Sequence, residues 1–260
     1  MMQTTVIKYG GSAMINEYLK TAVIEDLIHI AEEERVILVH GGGPEIDAML
    51  RRVNKTSRFV NGLRYTDEET MEIVQMVLCG KLNKEIAALI QAQGGKAVGL
   101  CGIDGGLLKA RRITSVDLGL VGEIESVDLD VLNQVLDSGF IPVVSSVALD
   151  LDEDAGRSLN VNADTAAAEL AIATKAARLI LMTDVPGLLR DIRDPSSFIS
   201  ELSRAELEQL RQDGVVSKGM IPKADCCIKA LAGGVKETRI IDGRRPHALL
   251  SVQNLGTAIV

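Results

Sequence analysis

The chain has 260 residues, 47% of them hydrophobic, 25% charged and 2% aromatic, with a formal net charge of −8 and no tryptophan. That length and apolar share can bury one large domain or two joined lobes, while the acidic balance and the scarcity of stacking rings exclude a typical nucleic-acid binder. No apolar run approaches roughly 18 residues, and the opening MMQTTVIKYGG enters a strand pattern directly, so no membrane span or secretory leader is read and a cytoplasmic location is expected.

Periodicity predicts strands at Thr4–Lys8, Arg35–His40, Lys96–Leu100, Phe140–Val147, Arg178–Thr183 and Thr238–Asp242, with helical patterns between most of them. This alternation predicts an α/β fold, a largely parallel sheet with helices on both faces. The strand ending at His40 runs into Gly41, Gly42, Gly43 and Pro44, after which Ile46, Met49, Leu50 and Val53 recur at helical spacing. Glycine on such a turn permits positive φ and close approach of a ligand to the main chain, and the helix start adds N–H groups. A bound anion or a bare tight turn would each ask for those glycines. Next, SRFVNGLRY (Ser57–Tyr65) carries an Asn-Gly hairpin signal. Capping boxes are expected at Thr66 with Glu69 and at Ser203 with Glu206. Helix stops are expected at Gly94, Gly139 and Gly214, and Gly80 predicts a bend inside the long Thr66–Gln93 pattern. The acidic stretch Asp150–Arg157 reads as a solvated loop.

Cys79, Cys101, Cys226 and Cys227 form no CxxC pair or metal-ligand spacing and read as reduced packing residues. Of the three histidines, only His40, beside the glycines, has a position that suggests a role.

Ligands of open α/β sheets collect at the carboxyl ends of strands. KYGGS (Lys8–Ser12), HGGGPE and TDVPGLL (Thr183–Leu189) occupy such ends, and the polar segments LNVNAD (Leu159–Asp164) and VSKGMIPKAD (Val216–Asp225) each open a helix. Two glycine turns, two lysines and a helix-borne carboxylate fit phosphoryl transfer best, a reaction in which protein groups mainly position reactants and neutralise charge. GxxxxGK[ST], a strand-borne GxGxxG, HRD and DFG are all missing from the sequence, which excludes P-loop enzymes and protein kinases.

KYGGS, HGGGPEI, NGLRYTDEETMEIV, NVNADTAAAELA, LMTDVPGLL, GMIPKADCCIKAL and IIDGRRPHALL, in that order over nearly the whole chain, resemble the amino acid kinase family and within it the acetylglutamate kinases. KxGG alone occurs across the superfamily; HGGGPEI with NGLR and NVNAD is far more specific. The resemblance implies a three-layer αβα sandwich around a mainly parallel sheet, the carbamate kinase-like fold. It further implies an N-terminal lobe (1–175) that binds N-acetyl-L-glutamate and dimerises, and a C-terminal lobe (176–260) that binds ATP with Mg²⁺. The implied product is N-acetyl-L-glutamyl 5-phosphate, in the second step of arginine biosynthesis.

By the same resemblance Lys8 and Lys223 are the transition-state lysines, and Asp164 holds both in place and keeps them protonated. Arg64 is expected to grip the substrate α-carboxylate with its planar fork, and Asn160 to bond the same end, with Asn162 acting as a helix cap. Gly10, Gly11, Gly42 and Gly43 would offer amides to the phosphoryl group and the γ-carboxylate, with His40 supporting the loop. Asp184, Val185, Gly187 and Leu188, with Val216, Ser217 and Lys218, would surround the nucleotide. Mg²⁺ would be held by ATP oxygens and water, without a dedicated set of protein ligands.

Two rival readings share the fold. An aminoadipate kinase of carrier-protein-dependent lysine biosynthesis is disfavoured by the intact HGGGPEI and NGLR, and a non-catalytic amino-acid sensor by the presence of Lys8, Asp164 and Lys223 together. With Met1–Gln3 ahead of the first strand, and SVQNLGTAIV lacking the acidic residue found before the glycine in arginine-inhibited relatives, an arginine-insensitive homodimer is expected.

Overall fold

The computed structural model describes residues 2–14, 16–152, 156–191, 193–216 and 220–260. The chain begins with β1 (Thr4–Tyr9), α1 (Glu17–Ile30), β2 (Arg35–His40), α2 (Gly43–Arg52) and the hairpin of β3 (Phe59–Val60) and β4 (Leu63–Arg64). Then come α3 (Glu68–Gln75), a π-helical segment (Met76–Leu82), α4 (Asn83–Ala92), β5 (Ala97–Cys101), β6 (Leu108–Arg112) and β7 (Val121–Val127). These are followed by α5 (Asp130–Asp137), β8 (Ile141–Ser145), β9 (Val147–Asp150), β10 (Ser158–Val161), α6 (Ala163–Ala173) and β11 (Arg178–Thr183). The last third holds β12 (Leu188–Leu189), β13 (Phe198–Ile199), β14 (Glu201–Leu202), α7 (Arg204–Gln212), α8 (Ile221–Ala232), β15 (Glu237–Asp242) and β16 (Thr257–Ile259).

Two compact units divide the chain, one of Met1–Ile37 with Ala167–Val260 and one of Leu38–Ala166. In the first, the sheet runs β14-β16-β15-β11-β1, with β1, β11 and β15 parallel and Lys8 in register with Leu181. Its strands are near-continuous apolar runs because both faces are covered: Ile7, Leu179, Leu181, Ile240 and Ile241 are shielded from solvent. Helix α6 buries Ala167, Ala168 and Ala171, small side chains that allow close approach. Asp26 of α1, also buried, accepts from His247 Nδ1 at 2.8 Å and from the Leu249 N–H at 3.1 Å, which fastens the IIDGRRPHALL segment to that helix.

In the second unit β2, β8 and β5 are parallel neighbours, and β10, β7, β6 and β9 close into a small barrel. Leu108, Ala110, Val147, Ala148 and Leu159 on its strands are fully buried, and a Cβ at Gly122 would press on Leu159 and Ala110. Periodicity anticipated the parallel sheet strands to within a residue or two at most ends, but not the barrel. The expected strand Phe140–Val147 is two strands, β8 and β9, separated at Ser146.

The Asn-Gly hairpin forms as expected, with Asn61 at φ 50° and Gly62 at φ 81°. Gly94, Gly139 and Gly214 all take the positive φ of helix stops, and Ser203 with Glu206 makes a full capping box. The box expected at Thr66 does not form: its N–H donates to Leu118 O and its hydroxyl to Arg64 O, so Asp67 caps α3 instead, accepting from the Thr70 N–H. Gly80 marks a widened π turn. Asp150 departs from the solvated reading, since it is buried and takes a 3.1 Å contact from Arg112 Nε; residues 153–155 of that stretch lie outside the described residues.

Candidate functional site

The triple glycine connects β2 to α2, with Gly42 as the helix cap and Pro44 in the first turn. A Cβ on Gly42 would collide with Leu82 Cδ1 and come within 2.8 Å of Leu78 Cδ2, so the π-helical segment closes directly on this backbone. At Gly43 the nearest atom to a Cβ would be Arg64 Nη2, 3.9 Å away. Gly42 is therefore required by packing, whereas the missing side chain at Gly43 keeps space open. Among the described residues no side chain caps α2, which leaves its first N–H groups available to a ligand.

That space is a cavity of about 160 Å³ bounded by Gly42, Gly43, Arg64, Ser146, Asn160 and Leu78 among others. Arg64 is 7% exposed and stacks 4.7 Å over the Phe59 ring. Its Nη1 donates to Asp47 Oδ1 at 2.5 Å and to Ser57 Oγ, and its Nη2 to Gly43 O at 3.3 Å. Burial pushes the Asp47 carboxyl up, but the hydrogen bonds from Arg64 and Ser57 outweigh it and hold that carboxyl below its ordinary range. Nη1 is thus held by Asp47 and Ser57 and Nη2 by Gly43 O, while Arg64 forms part of the cavity wall. Asn160 Nδ2 donates to Thr66 Oγ1 at 3.1 Å, and Thr66 passes the chain on to Arg64 O at 2.8 Å.

His40 is buried under the same turn. Its Nδ1 donates to Gly41 O at 2.9 Å, and Nε2 lies 3.2 Å from Asn83 Nδ2, an arrangement that suits only the neutral imidazole. Burial lowers its pKa to about 4. His40 thus supports the loop, the part the resemblance implied for it. Asn162 Oδ1 accepts from the N–H groups of Asp164 and Thr165, the cap expected of it, and Asp164 sits 5% exposed in the first turn of α6.

The remaining candidates belong to the other unit. Lys8, on β1, folds its ammonium back over Gly10, where a Cβ would stand 2.5 Å from Nζ. Gly11, at φ 73°, lies under Asp184, whose Oδ1 would be 2.6 Å from a Cβ there. Both glycines are thus explained by charged side chains crossing them. Gly187 is wedged against Thr257 and Phe198, and the adjacent Leu188 N–H donates to Thr257 Oγ1 at 2.8 Å. Val185 is half-buried beside Asp184, Val216 is buried, and Lys223 lies in the first turn of α8. Ser217 and Lys218 lie outside the described residues. A second hollow, about 220 Å³, is lined by Pro186, Phe198, Asp242, Arg245, Leu255 and Gly256 with Asn254; it shares the TDVPGLL stretch with the nucleotide candidates but not the residues chosen from it.

Sequence reasoning missed Ser146, Leu78 and Phe59 at the cavity. An aromatic on an Asn-Gly hairpin was the available signal for Phe59; Ser146 sits where one apolar run is divided between sheet and barrel, and nothing local marks it. Among the described residues no helix is long and apolar enough to cross a membrane.

Residues 3–242 match the amino acid kinase family. The chain is 50% identical over 263 residues to the acetylglutamate kinase of Clostridium kluyveri, covering 99% of this chain and 92% of that protein. It is 53% identical over 249 residues to the acetylglutamate kinase of Thermosynechococcus vestitus, covering 95% and 83% respectively. A carbamate kinase structure from Giardia superposes with a TM-score of 0.74 over 100% of this chain and 99% of that one, at 15% identity, a likeness of fold. The α/β architecture, a mostly parallel sheet flanked by helices, is the one expected from the sequence. On a match of this extent, the chain belongs to the amino acid kinase family and, within it, to the acetylglutamate kinases.

Proposed function

We propose that this kinase transfers the terminal phosphoryl group of ATP to the γ-carboxylate of N-acetyl-L-glutamate, giving N-acetyl-L-glutamyl 5-phosphate by direct in-line transfer in the second step of arginine biosynthesis. The observation that carries this reading is the small cavity with an uncapped helix start on one wall and the buried Arg64 on another. Two anion-binding elements on one small space suit a compact dicarboxylate. Arg64 Nη2 and Asn160 take the α-carboxylate end, and the amides at Gly42 and Gly43 take the γ-carboxylate.

Both reacting groups are anionic, so their approach is opposed by Coulomb repulsion that cations must offset. Lys8 and Lys223 fill that role, as point charges able to follow a phosphoryl oxygen that shifts during transfer. Asp164 is the carboxylate that the resemblance assigns to orienting them. The γ-carboxylate is already a competent nucleophile, so no general base is needed, consistent with a His40 committed to its loop. Gly10 and Gly11 offer backbone to the phosphoryl group. Asp184, Val185, Gly187, Leu188 and Val216, with Ser217 and Lys218, are assigned to the nucleotide.

Asp184, an exposed carboxylate beside the Gly11 turn, is the hard oxygen donor that fits a Mg²⁺ kept mainly by phosphate and water. When bound with ATP, that ion supplies charge neutralisation. The working form is inferred to be a homodimer, with acceptor binding and dimerisation in residues 1–175 and ATP binding in 176–260.

A coupled assay with ATP and N-acetylglutamate, glutamate, aminoadipate or aspartate tests the assignment, with molar mass by light scattering run on the same preparation. N-acetylglutamate should be preferred by orders of magnitude. A preference for aminoadipate, or no turnover with any of the four, would overturn the reading.

A further inference from the structure

Four free cysteines divide into two kinds. Cys226 and Cys227 are buried in α8, whereas Cys79 and Cys101 are both half-buried and flank the same residue, Ser145. Cys79 lies on the π-helical segment, and its Sγ is 3.3 Å from Ser145 Oγ; Cys101 ends β5 directly across from Ser145 in the β5–β8 register. The neighbouring sulfur pulls Cys101 below the ordinary thiol range and pushes Cys79 above it, so Cys101 is the more readily deprotonated of an unequal pair. A lowered, partly accessible thiol next to a second sulfur is the arrangement of an oxidisable pair, and neither sulfur has a part in phosphoryl transfer. The segment carrying Cys79 also carries Leu78 and Leu82, the two side chains that close on Gly42.

We propose that Cys79 and Cys101 form a reversible disulfide with hydrogen peroxide as oxidant, and that its formation moves the π-helical segment against the acceptor turn. The Cys101 thiolate attacks a peroxide oxygen, the O–O bond breaks, hydroxide leaves and Cys101 becomes a sulfenic acid. Cys79 sulfur then attacks the Cys101 sulfur, the S–O bond breaks, and the departing hydroxyl leaves as water with the Cys79 proton. Two thiols have lost two electrons and the peroxide has been reduced to water. A dithiol reverses the bond by exchange. Drawing the two sulfurs to covalent distance pulls on the segment whose Leu78 and Leu82 lie against Gly42, and a displacement of about 1 Å at such a site is worth as much as 10²-fold. This second consequence rests on reading the cavity as the acceptor site; the disulfide itself does not.

The test starts with the native chain treated with stoichiometric peroxide, alkylated and digested with trypsin. Peptides Tyr65–Lys81 and Ala97–Lys109 should appear joined with the loss of two hydrogens, while Cys226 and Cys227 remain alkylated. Separate peptides, overoxidised Cys101 or a different pairing would overturn the proposal. In Cys79→Ser the link should vanish and Cys101 should be trapped by dimedone as the sulfenic acid; an unreactive Cys101 there counts against it. Calorimetric binding of N-acetylglutamate should weaken by about 10-fold or more in the oxidised wild type, recover with dithiothreitol, and be indifferent to peroxide in Cys79→Ser. A linked peptide with unchanged binding would refute the coupling to the pocket, and absence of binding in the reduced protein would instead refute the acceptor assignment.

Discussion

In residues 38–166 the polar groups around the cavity are side chains pinned by other groups: Arg64 by Asp47 and Ser57, Asn160 by Thr66, His40 by Gly41 O and Asn83. In residues 1–37 and 167–260 the positions assigned to the phosphoryl group and the nucleotide are backbone turns packed against side chains: Gly187 and Leu188 against Thr257, Gly10 under Lys8, Gly11 under Asp184. A small dicarboxylate has to be told from its near relatives, and discrimination of that kind comes from fixed donors whose identity matters. Phosphates can be held by amides and cations, which constrain shape more than identity. The first arrangement is sensitive to residue type, the second to where glycine is allowed.

The strongest way to break the comparison is at Lys8, the side chain of that second region proposed to offset charge on the transferring phosphoryl group, whose identity should matter. Lys8→Ala should lower kcat by roughly 10²–10³-fold with a smaller change in KM for either substrate, the loss typical of one oriented donor to developing charge. Steady-state kinetics on the folded variant checks it; unchanged kcat would remove Lys8 from the reaction.

The pinned side chains also carry a pH signature. His40 titrates at about 4 in the fold and 6.5 in the unfolded chain, so the unfolded chain takes up the proton first as pH falls. Stability is full above about pH 6.5 and drains away between 6.5 and 4, by about 3 kcal/mol. His247 has the opposite sign: its bond to Asp26 raises it, so its stabilisation is complete at low pH and is lost as pH rises through the raised value. Urea unfolding at pH 7 and pH 5 should therefore show a slope that His40→Asn flattens and His247→Asn does not. Equal slopes in wild type and His40→Asn would show that His40 is not the titrating group.

Arg64→Lys should weaken N-acetylglutamate binding by about 10–10²-fold and leave ATP binding within a factor of about two, because an ammonium cannot keep Asp47 and Ser57 on one side while serving the cavity on the other. Separate calorimetric titrations decide it, and equal losses for both ligands would mean that Arg64 only braces the hairpin.

The two adjacent glycines divide packing from function within one backbone step, about 3.8 Å. Gly42→Ala meets Leu78 and Leu82 and should destabilise by roughly 1–3 kcal/mol, read as a lowered Tm. Gly43→Ala has room and a helical position, so its Tm should hold while acceptor binding falls. A Tm loss at Gly43 equal to that at Gly42 would erase the distinction drawn from the structure.

The same contrast explains what was legible in the sequence. HGGGPEI and NGLR name a turn, a helix start and a cationic side chain by local chemistry, and the strands at Arg35–His40 and Arg178–Thr183 announce themselves as unbroken apolar runs. The barrel was hidden because β6, Leu108–Arg112, turns only Leu108 and Ala110 fully inward and depends on partners distant in sequence. The division of the apolar run at Ser146 has no glycine or proline to flag it. Thr66 misled because the side chain that looked like a cap is spent on Arg64 O, a contact that exists only after the hairpin has formed.

Thr257 is where the backbone-held side can be tested most gently. Fully buried, its Oγ1 accepts from the Leu188 N–H at 2.8 Å and donates to Ile199 O at 2.6 Å, so one hydroxyl ties the TDVPGLL turn to the β12–β13 hairpin. Thr257→Val keeps the shape and removes both bonds, leaving a buried donor and acceptor to find other partners at about 1–2 kcal/mol. The turn carries no assigned side-chain contact to the acceptor, so its loosening should raise KM for ATP by about three- to tenfold while KM for N-acetylglutamate stays put. Thr257→Ser, which restores the hydroxyl, should recover most of the ATP affinity. If Val and Ser behave alike, the hydroxyl does not hold the turn, and the nucleotide side would then depend on side-chain packing just as the acceptor side does.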